Sequence, residues 1–257
     1  MKVVIFAGGL GSRMREETEF RPKPMTEIGG KPVLWHIMKG FAHYGHTDFI
    51  ICAGYKGHMI KEYFLNYARH SLDFTTKLGD SDSTMFHGSN AEASWSVTVA
   101  DTGLSAQTGG RLARVEKYLD GEEFLCTYGD GVAPVQIDRL ISHHKASGKA
   151  ASITVTRPDS RFGVVELDSA GLVSSFREKP RNQDLVNIGF FVFGPEIFGG
   201  LKEDTVLEQE PLQQLAQSGN LSAFQHEGFW QPMDTFREFQ ELNTLWDGGQ
   251  APWKTWE

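Results

Sequence analysis

The chain has 257 residues, 25 Lys plus Arg against 33 Asp plus Glu, and a formal net charge of −8. That length allows one large α/β unit with a modest appendage. The acidic balance argues against a nucleic-acid partner, which needs a basic face, and no run approaches the ~18–20 apolar residues of a membrane span.

In chain order, Val3–Ala7 predicts a fully buried strand. Leu34–Tyr44 predicts a helix, with Trp35, Met38 and Phe41 on adjacent turns. Asp48–Ala53 is a second short apolar strand closed by Gly54, and Gly57–His70 a helix. This alternation implies parallel strands with right-handed crossovers. Gly79–Ala93 is polar and predicts a loop that breaks the pattern. Trp95–Asp101 alternates as a strand, Thr108–Tyr118 is helical, Glu123–Thr127 is a strand and Pro134–Ser147 a helix. The spacing then tightens, and Ala151–Thr156, Gly163–Leu167, Leu172–Arg177 and Val186–Phe193 become strand candidates, with a turn over Asp168–Gly171. These predict a mixed sheet packed beside the parallel one. A helix over Phe236–Trp246 and the tail APWKTWE close the chain. With no internal repeat, low-complexity tract or linker, residues 1–257 form a single folded unit on this reading. Cys52 and Cys126 end apolar runs and are expected as buried, reduced thiols. Without a CxxC pair or a signal-peptide core, they fit a cytoplasmic protein.

The stretch VVIFAGGLGSR, ending at Arg13 and followed nine residues later by Pro22-Lys23-Pro24, carries the strongest chemical signal. A buried strand that stops at glycines lets backbone N–H groups approach a ligand, and Arg13 and Lys23 add two cations at the same sheet end. The prolines are expected to hold Lys23 on a stiff extended segment. A dinucleotide-binding motif is disfavoured, because Met14 stands where a third glycine is needed; a P-loop fails because Gly30-Lys31 runs into Pro32. Asp130, between Gly129 and Gly131, follows a strand end, and Asp234 follows an aromatic-rich segment. Two such carboxylates are suited to holding Mg²⁺ against substrate phosphates, although spacing alone does not bring them together. Glu178-Lys179-Pro180 repeats the cation-before-proline arrangement. Asn187 is a polar residue opening an apolar strand, and Arg111 follows Thr108-Gly109-Gly110 at a helix N-terminus, an anion-binding geometry. Trp230, near Asp234, is a candidate wall for a sugar. His36, His43, His143 and His144 lie on helices without metal spacing.

Together FAGGLGSR, PKP, the GDG turn, EKP, NIG and WQPMD resemble the sugar-nucleotidyltransferase family over residues 1 to about 240. The resemblance implies the nucleotide-diphospho-sugar transferase fold, a Rossmann-like mixed, mainly parallel sheet flanked by helices with a smaller β-rich sugar-binding part. It implies a nucleotide-binding half over about 1–150, a sugar-phosphate-binding half over about 151–240 and a tail over 241–257. It also implies roles. The backbone of Phe6, Ala7, Gly8, Gly9, Leu10, Gly11 and Ser12, with Gly129, would cradle the nucleotide. Arg13 and Lys23 would hold the triphosphate with Arg111 nearby, and Asp130 and Asp234 would hold Mg²⁺. Glu178, Lys179, Asn187 and Gly189 would face the sugar phosphate, with Arg13, Lys23 and Lys179 neutralising charge in catalysis. Longer stretches (EIGGKPVLWHIMK, YKGHMIKEYF, TGGRL, EQEPL, HEGFWQPMDT and APWKTWE) are similar to cytidylyl-transferring members. They imply CTP and glucose 1-phosphate as substrates and CDP-glucose for dideoxy-sugar and O-antigen biosynthesis as the product. Gln107 stands closer to Gly109 than in the base-reading loop of thymidylyl and uridylyl relatives, which favours cytosine; UTP or dTTP remains the alternative. A non-catalytic nucleotide-sugar sensor on this fold should have lost an acid or a phosphate cation, and Arg13, Lys23, Asp130 and Asp234 are all present. A homo-oligomer is expected, with Gly79–Ala93 and the aromatic tail as candidate interface elements.

Overall fold

The computed structural model of the chain describes residues 1–160, 162–178, 180 and 184–256, with the side chains of residues 81 and 82 excepted. Its centre is a seven-stranded sheet. The strands are β1 (Val3–Ala7), β2 (Asp48–Ala53), β3 (Ser96–Asp101), β4 (Phe124–Tyr128), β5 (Ala151–Thr156), β6 (Val186–Phe193) and β7 (Leu221–Gln225). The spatial order is β3-β2-β1-β4-β6-β5-β7. All neighbours run parallel except at β6, which is antiparallel to both β4 and β5. The longer helices are α1 (Val33–His43), α2 (Gly57–Leu65), α3 (Thr108–Val115), α4 (Ile137–Ser147), α5 (Glu210–Gln217) and α6 (Phe236–Asp247).

The five residues of β1 are all buried, as expected where helices cover both faces of a central parallel strand. The two-residue period of the strand sends Val3, Ile5 and Ala7 into one core with Phe49, Leu34 and Leu140. It sends Val4 and Phe6 into the other, with Ile50, Leu112 and Leu212. Register is fixed on both flanks: Ile5 faces Ile51 and Thr127. Because β1 and β4 are neighbours although β2 and β3 intervene in sequence, the strand order reverses between them. In open α/β sheets the crevice at the carboxyl ends of such a pair is where ligands bind. Both cysteines are buried and unbridged.

Four expectations change. The later strands do not build a sheet beside the parallel one; β5, β6 and β7 continue it, because the apolar run of β6 pairs directly with β4. Of the later strand candidates, Val164–Leu167 and Val173–Arg177 stand apart as a hairpin. The polar stretch expected as a loop carries the second strand of a hairpin, Asp73–Lys77 with Asp80–His87, whose cross-strand apolar contact is Phe74 on Phe86. The helix expected over Gly57–His70 divides at Asn66 into α2 and a short turn over Tyr67–Ser71. The aromatic tail packs on its own chain rather than standing out for a partner: Trp253 is buried, stacked on Phe229 at 5.7 Å, and Trp256 meets Trp35 edge-on at 5.9 Å. Among the described residues no helix is long and apolar enough to cross a membrane.

Candidate active site

A cleft of about 310 Å³ opens at the carboxyl ends of β1 and β4. Its walls take in Phe6–Ala7, Gly8–Gly9, Gly11–Arg13, Lys23, Gly129–Asp130 and Asp234. Leu10 alone of the loop stays out, with its side chain exposed. The loop is pinned from beneath by Met14, which is fully buried, and by Thr18, whose Oγ1 donates to the carbonyls of Gly11 and Met14. Met14, the residue that spoils the dinucleotide motif, is thus the anchor of a different loop.

Lys23 is buried at the start of a single 3₁₀ turn, Lys23–Met25, rather than on an extended segment. The locked φ of Pro24 suits the first turn of a helix as well as an extended chain, and the turn closes through Met25 N–H to Pro22 O at 2.8 Å. The Lys23 ammonium donates to Asp130 Oδ2 at 2.7 Å and to Asp234 Oδ1 at 2.6 Å. Arg13 Nη1 reaches Asp234 Oδ2 at 3.0 Å. Burial alone would lower the Lys23 pKa, but the charges and hydrogen bonds of Asp130 and Asp234 outweigh it and hold it above the ordinary lysine value.

Two local devices bring the distant acids together. Gln231–Pro232 pairs antiparallel with Gly131–Val132, and Met233 N–H donates to Asp130 O at 2.8 Å. Thr235 then caps α6: its Oγ1 accepts from Glu238 N–H, while Glu238 Oε2 accepts from the N–H groups of Asp234 and Thr235 at 2.8 Å. This capping box fixes the backbone that presents Asp234. The carboxylates therefore converge on a point that one cation, the Lys23 ammonium, already satisfies. Two hard oxygen donors without His or Cys suit a small divalent cation that draws its other ligands from phosphate and water. Among the described residues no group of three or more metal-ligating side chains is present, so substrate oxygens are needed to complete such a site.

Arg111 sits differently from its expected role. It lines the cleft, but Nη1 donates to Thr102 Oγ1 and Gly103 O at 2.8 Å, and Nη2 to Gly8 O at 3.0 Å and Leu104 O at 3.3 Å. Its guanidinium ties the glycine loop to the Gly103–Leu104 turn. The N-terminus of α3 is occupied as well: the N–H groups of Gly109 and Gly110 both point at Thr205 O, at 2.9 and 3.3 Å. Gly110 permits that approach, since a Cβ there would lie 2.1 Å from Glu203 O. What looked like an anion site in sequence is a docking point for the chain over residues 203–208.

Asn187 and Gly189 lie on β6 behind Tyr128, which lines the cleft. Glu178 is exposed at the end of the separate hairpin, and Lys179 lies outside the described residues. Trp230 lines a neighbouring cavity of about 330 Å³ with Arg157, Asp159 and Glu227. Thr108, Tyr128 and Glu208 carry no role of their own in the sequence reading: Thr108 and Glu208 appear there inside the TGGRL and EQEPL stretches, and Tyr128 only by preceding the GDG turn. A larger cavity of about 490 Å³, lined by Phe64, Trp95 and Val97 near the β3 edge, contains none of the converging cations and acids.

The glycine loop at the switch point and the lysine held by two acids define a phosphate-handling α/β protein. Residues 2–245 match the nucleotidyl transferase family, and the chain belongs to that family. It is 54% identical over 260 residues, covering 100% of both chains, to glucose-1-phosphate cytidylyltransferase of Salmonella typhi. A Bacillus subtilis (strain 168) relative is 42% identical over 258 residues, again 100% of both chains. A solved UDP-glucose pyrophosphorylase in complex with UDP-glucose superposes with a TM-score of 0.67 over 96% of this chain and 98% of its own, at 16% identity, which shows the shared fold.

Proposed function

We propose that this protein transfers a cytidylyl group from CTP to α-D-glucose 1-phosphate, releasing pyrophosphate and giving CDP-glucose. The observation that carries the reading is the convergence of Lys23, Arg13, Asp130 and Asp234 beside the glycine loop. The choice of cytosine and glucose is supported by the 54% identical, full-length relative. Use of the product in dideoxy-sugar and O-antigen assembly belongs to the same reading, as does a cytoplasmic location. So does a homo-oligomer, supported by the exposed Phe74, Leu78, Met85 and Phe86 of one hairpin; a monomeric mass at micromolar protein in sedimentation would remove that part.

The sugar-phosphate oxygen attacks the α-phosphorus in line as pyrophosphate leaves. That oxygen is already ionised near neutral pH, so no protein base is needed and the barrier falls by positioning and charge neutralisation. The loop backbone from Gly8 to Ser12 aligns the triphosphate, and Arg13 and Lys23 place positive charge where the leaving pyrophosphate gains electron density. Lys179 and Glu178 are assigned to the sugar phosphate. Asp130 and Asp234 would hold Mg²⁺, which when bound neutralises phosphate oxygens.

Pyrophosphate release with glucose 1-phosphate and Mg²⁺ tests this, with CTP, UTP, dTTP and ATP run in parallel. Turnover confined to CTP is expected. Turnover with another nucleotide would keep the reaction class and replace the base, and none with any would favour a non-catalytic binder.

A further inference from the structure

Glu208 lies just ahead of α5 and outside the lining of the cleft, yet each of its carboxylate oxygens is held by a hydroxyl that lines it. Tyr128 Oη donates to Oε1 at 2.6 Å, and Thr108 Oγ1 donates to Oε2 at 2.7 Å. Bonds of that length from hydroxyl to carboxylate are charge-assisted and stronger than neutral ones. The two hydroxyls belong to separate elements, α3 and β4. Thr108 begins α3, directly after Ala106 and Gln107 on the nucleotide side, and its Oγ1 also accepts from Leu207 N–H at 2.9 Å. Tyr128 ends β4, just before Gly129 and Asp130, and its ring supports β6. Gly189 sits against it with φ +91°, where a Cβ would lie 2.3 Å from Tyr128 Cδ2. Asn187 Nδ2 approaches Tyr128 Oη at 3.5 Å, and Asn187 Oδ1 accepts from Gly189 N–H at 3.0 Å. Burial first, and then the Glu208 charge, push the Tyr128 phenol far above its ordinary pKa, so it remains a donor at any working pH.

We propose that Glu208 is a positioning residue for the reaction: through Thr108 and Tyr128 it fixes the distance between the nucleotide-side wall and the strand that presents Asn187 and Gly189. The naming of the two sides rests on the cytidylyltransferase reading; the mechanical tie does not. A misplacement of about 1 Å between reacting groups can lower rates by about 100-fold, so a tie between two elements that line the cleft bears directly on turnover.

Amide hydrogen exchange on the full-length protein is the first test, because it needs no substrate. Glu208→Ala should speed exchange by about tenfold or more in two stretches at once, residues 107–111 and residues 187–190. Steady-state kinetics on the same proteins follow. Glu208→Ala should lower kcat by about 10- to 100-fold and raise KM for both substrates. Tyr128→Phe, which cuts one arm, should raise KM for glucose 1-phosphate more than that for CTP. Glu208→Gln, which keeps one acceptor, should recover part of the loss in both measurements. Faster exchange confined to residues 203–210, or unchanged kinetic constants per folded Glu208→Ala molecule, would overturn the proposal. If the wild-type protein turns over no CTP with glucose 1-phosphate, the functional reading falls, and the exchange pattern still decides whether Glu208 joins the two walls.

Discussion

Arg111 and Lys23 show how differently two cations of one cleft can be used. Lys23 faces two carboxylates, which on the proposed reading it would exchange for a phosphate, whereas the Arg111 guanidinium is already shared among carbonyl oxygens on two loops. Replacing Arg111 by Leu would leave buried acceptors at Gly8 and Gly103 without donors. That should destabilise the fold by about 3 kcal/mol or more, measured by urea denaturation. Arg111→Lys should recover little, because an ammonium lacks the planar fork that reaches both loops. Stability close to wild type in either variant would mean that the glycine loop is held by other means. Asp130 behaves in the opposite way. Its side chain is about one-third exposed and its main structural partner is Lys23, so Asp130→Asn should keep the melting temperature within a few degrees. Metal-dependent turnover should nevertheless fall below one-hundredth of wild type, and near-normal turnover would show that the metal is held elsewhere.

Among the elements, α3 is the one whose sequence misleads most. Thr-Gly-Gly-Arg at a helix start is what an anion site looks like in one dimension, but the glycines are there so that the segment after Glu203 can lie against the helix end. Gly110→Ala would force a Cβ into Glu203 O and should lower stability by about 2 kcal/mol. For a chain of this size that is a melting shift of about 4–8 °C; an unchanged melting curve would show that the contact is slack. The same contrast explains what was legible. β1, β2 and β6 are long apolar runs buried on both faces, and their limits could be read directly. β7 is half exposed, and α5 is short and mostly polar with only Leu212 and Leu215 on its apolar face, so neither offers a long apolar run. The glycine loop, Lys23, Asp130 and Asp234 were recognisable as residue types. Their meeting could be read only from the resemblance, because it depends on a two-residue ladder and a capping box that leave almost no trace in composition. Glu208 is marked only by the EQEPL stretch of the resemblance, and its tie was hidden for a related reason: its partners Thr108 and Tyr128 come from two separate elements.

At the scale of the whole molecule, the tail, α1 and α6 close over a single buried imidazole. His36 Nε2 donates to Ile28 O at 2.8 Å, its Nδ1 accepts from Trp253 Nε1 at 3.4 Å, and the rings of Trp35 and Trp246 stand edge-on to it. Burial lowers its pKa to about 4. The unfolded chain, with a histidine pKa near 6.5, therefore binds the extra proton more readily. Stability from this group is complete above about pH 6.5, is lost as the pH falls towards 4, and totals about 3 kcal/mol. Denaturation midpoints from pH 7 to 4 should show that slope, and His36→Gln should flatten it; an equal slope in the variant would assign the effect to other groups. The ladder between Gly131–Val132 and Gln231–Pro232 has a consequence in time as well as in space. A chain emerging from the ribosome presents the glycine loop, Lys23 and Asp130 early, and the first four strands can collapse while the second acid is still unmade. Only when the last part of the chain zips onto Gly131 does Asp234 arrive. On the proposed reading the site is then completed only after residues 231–234 are made, and a chain stopped before them would keep the order of the first four strands without Asp234.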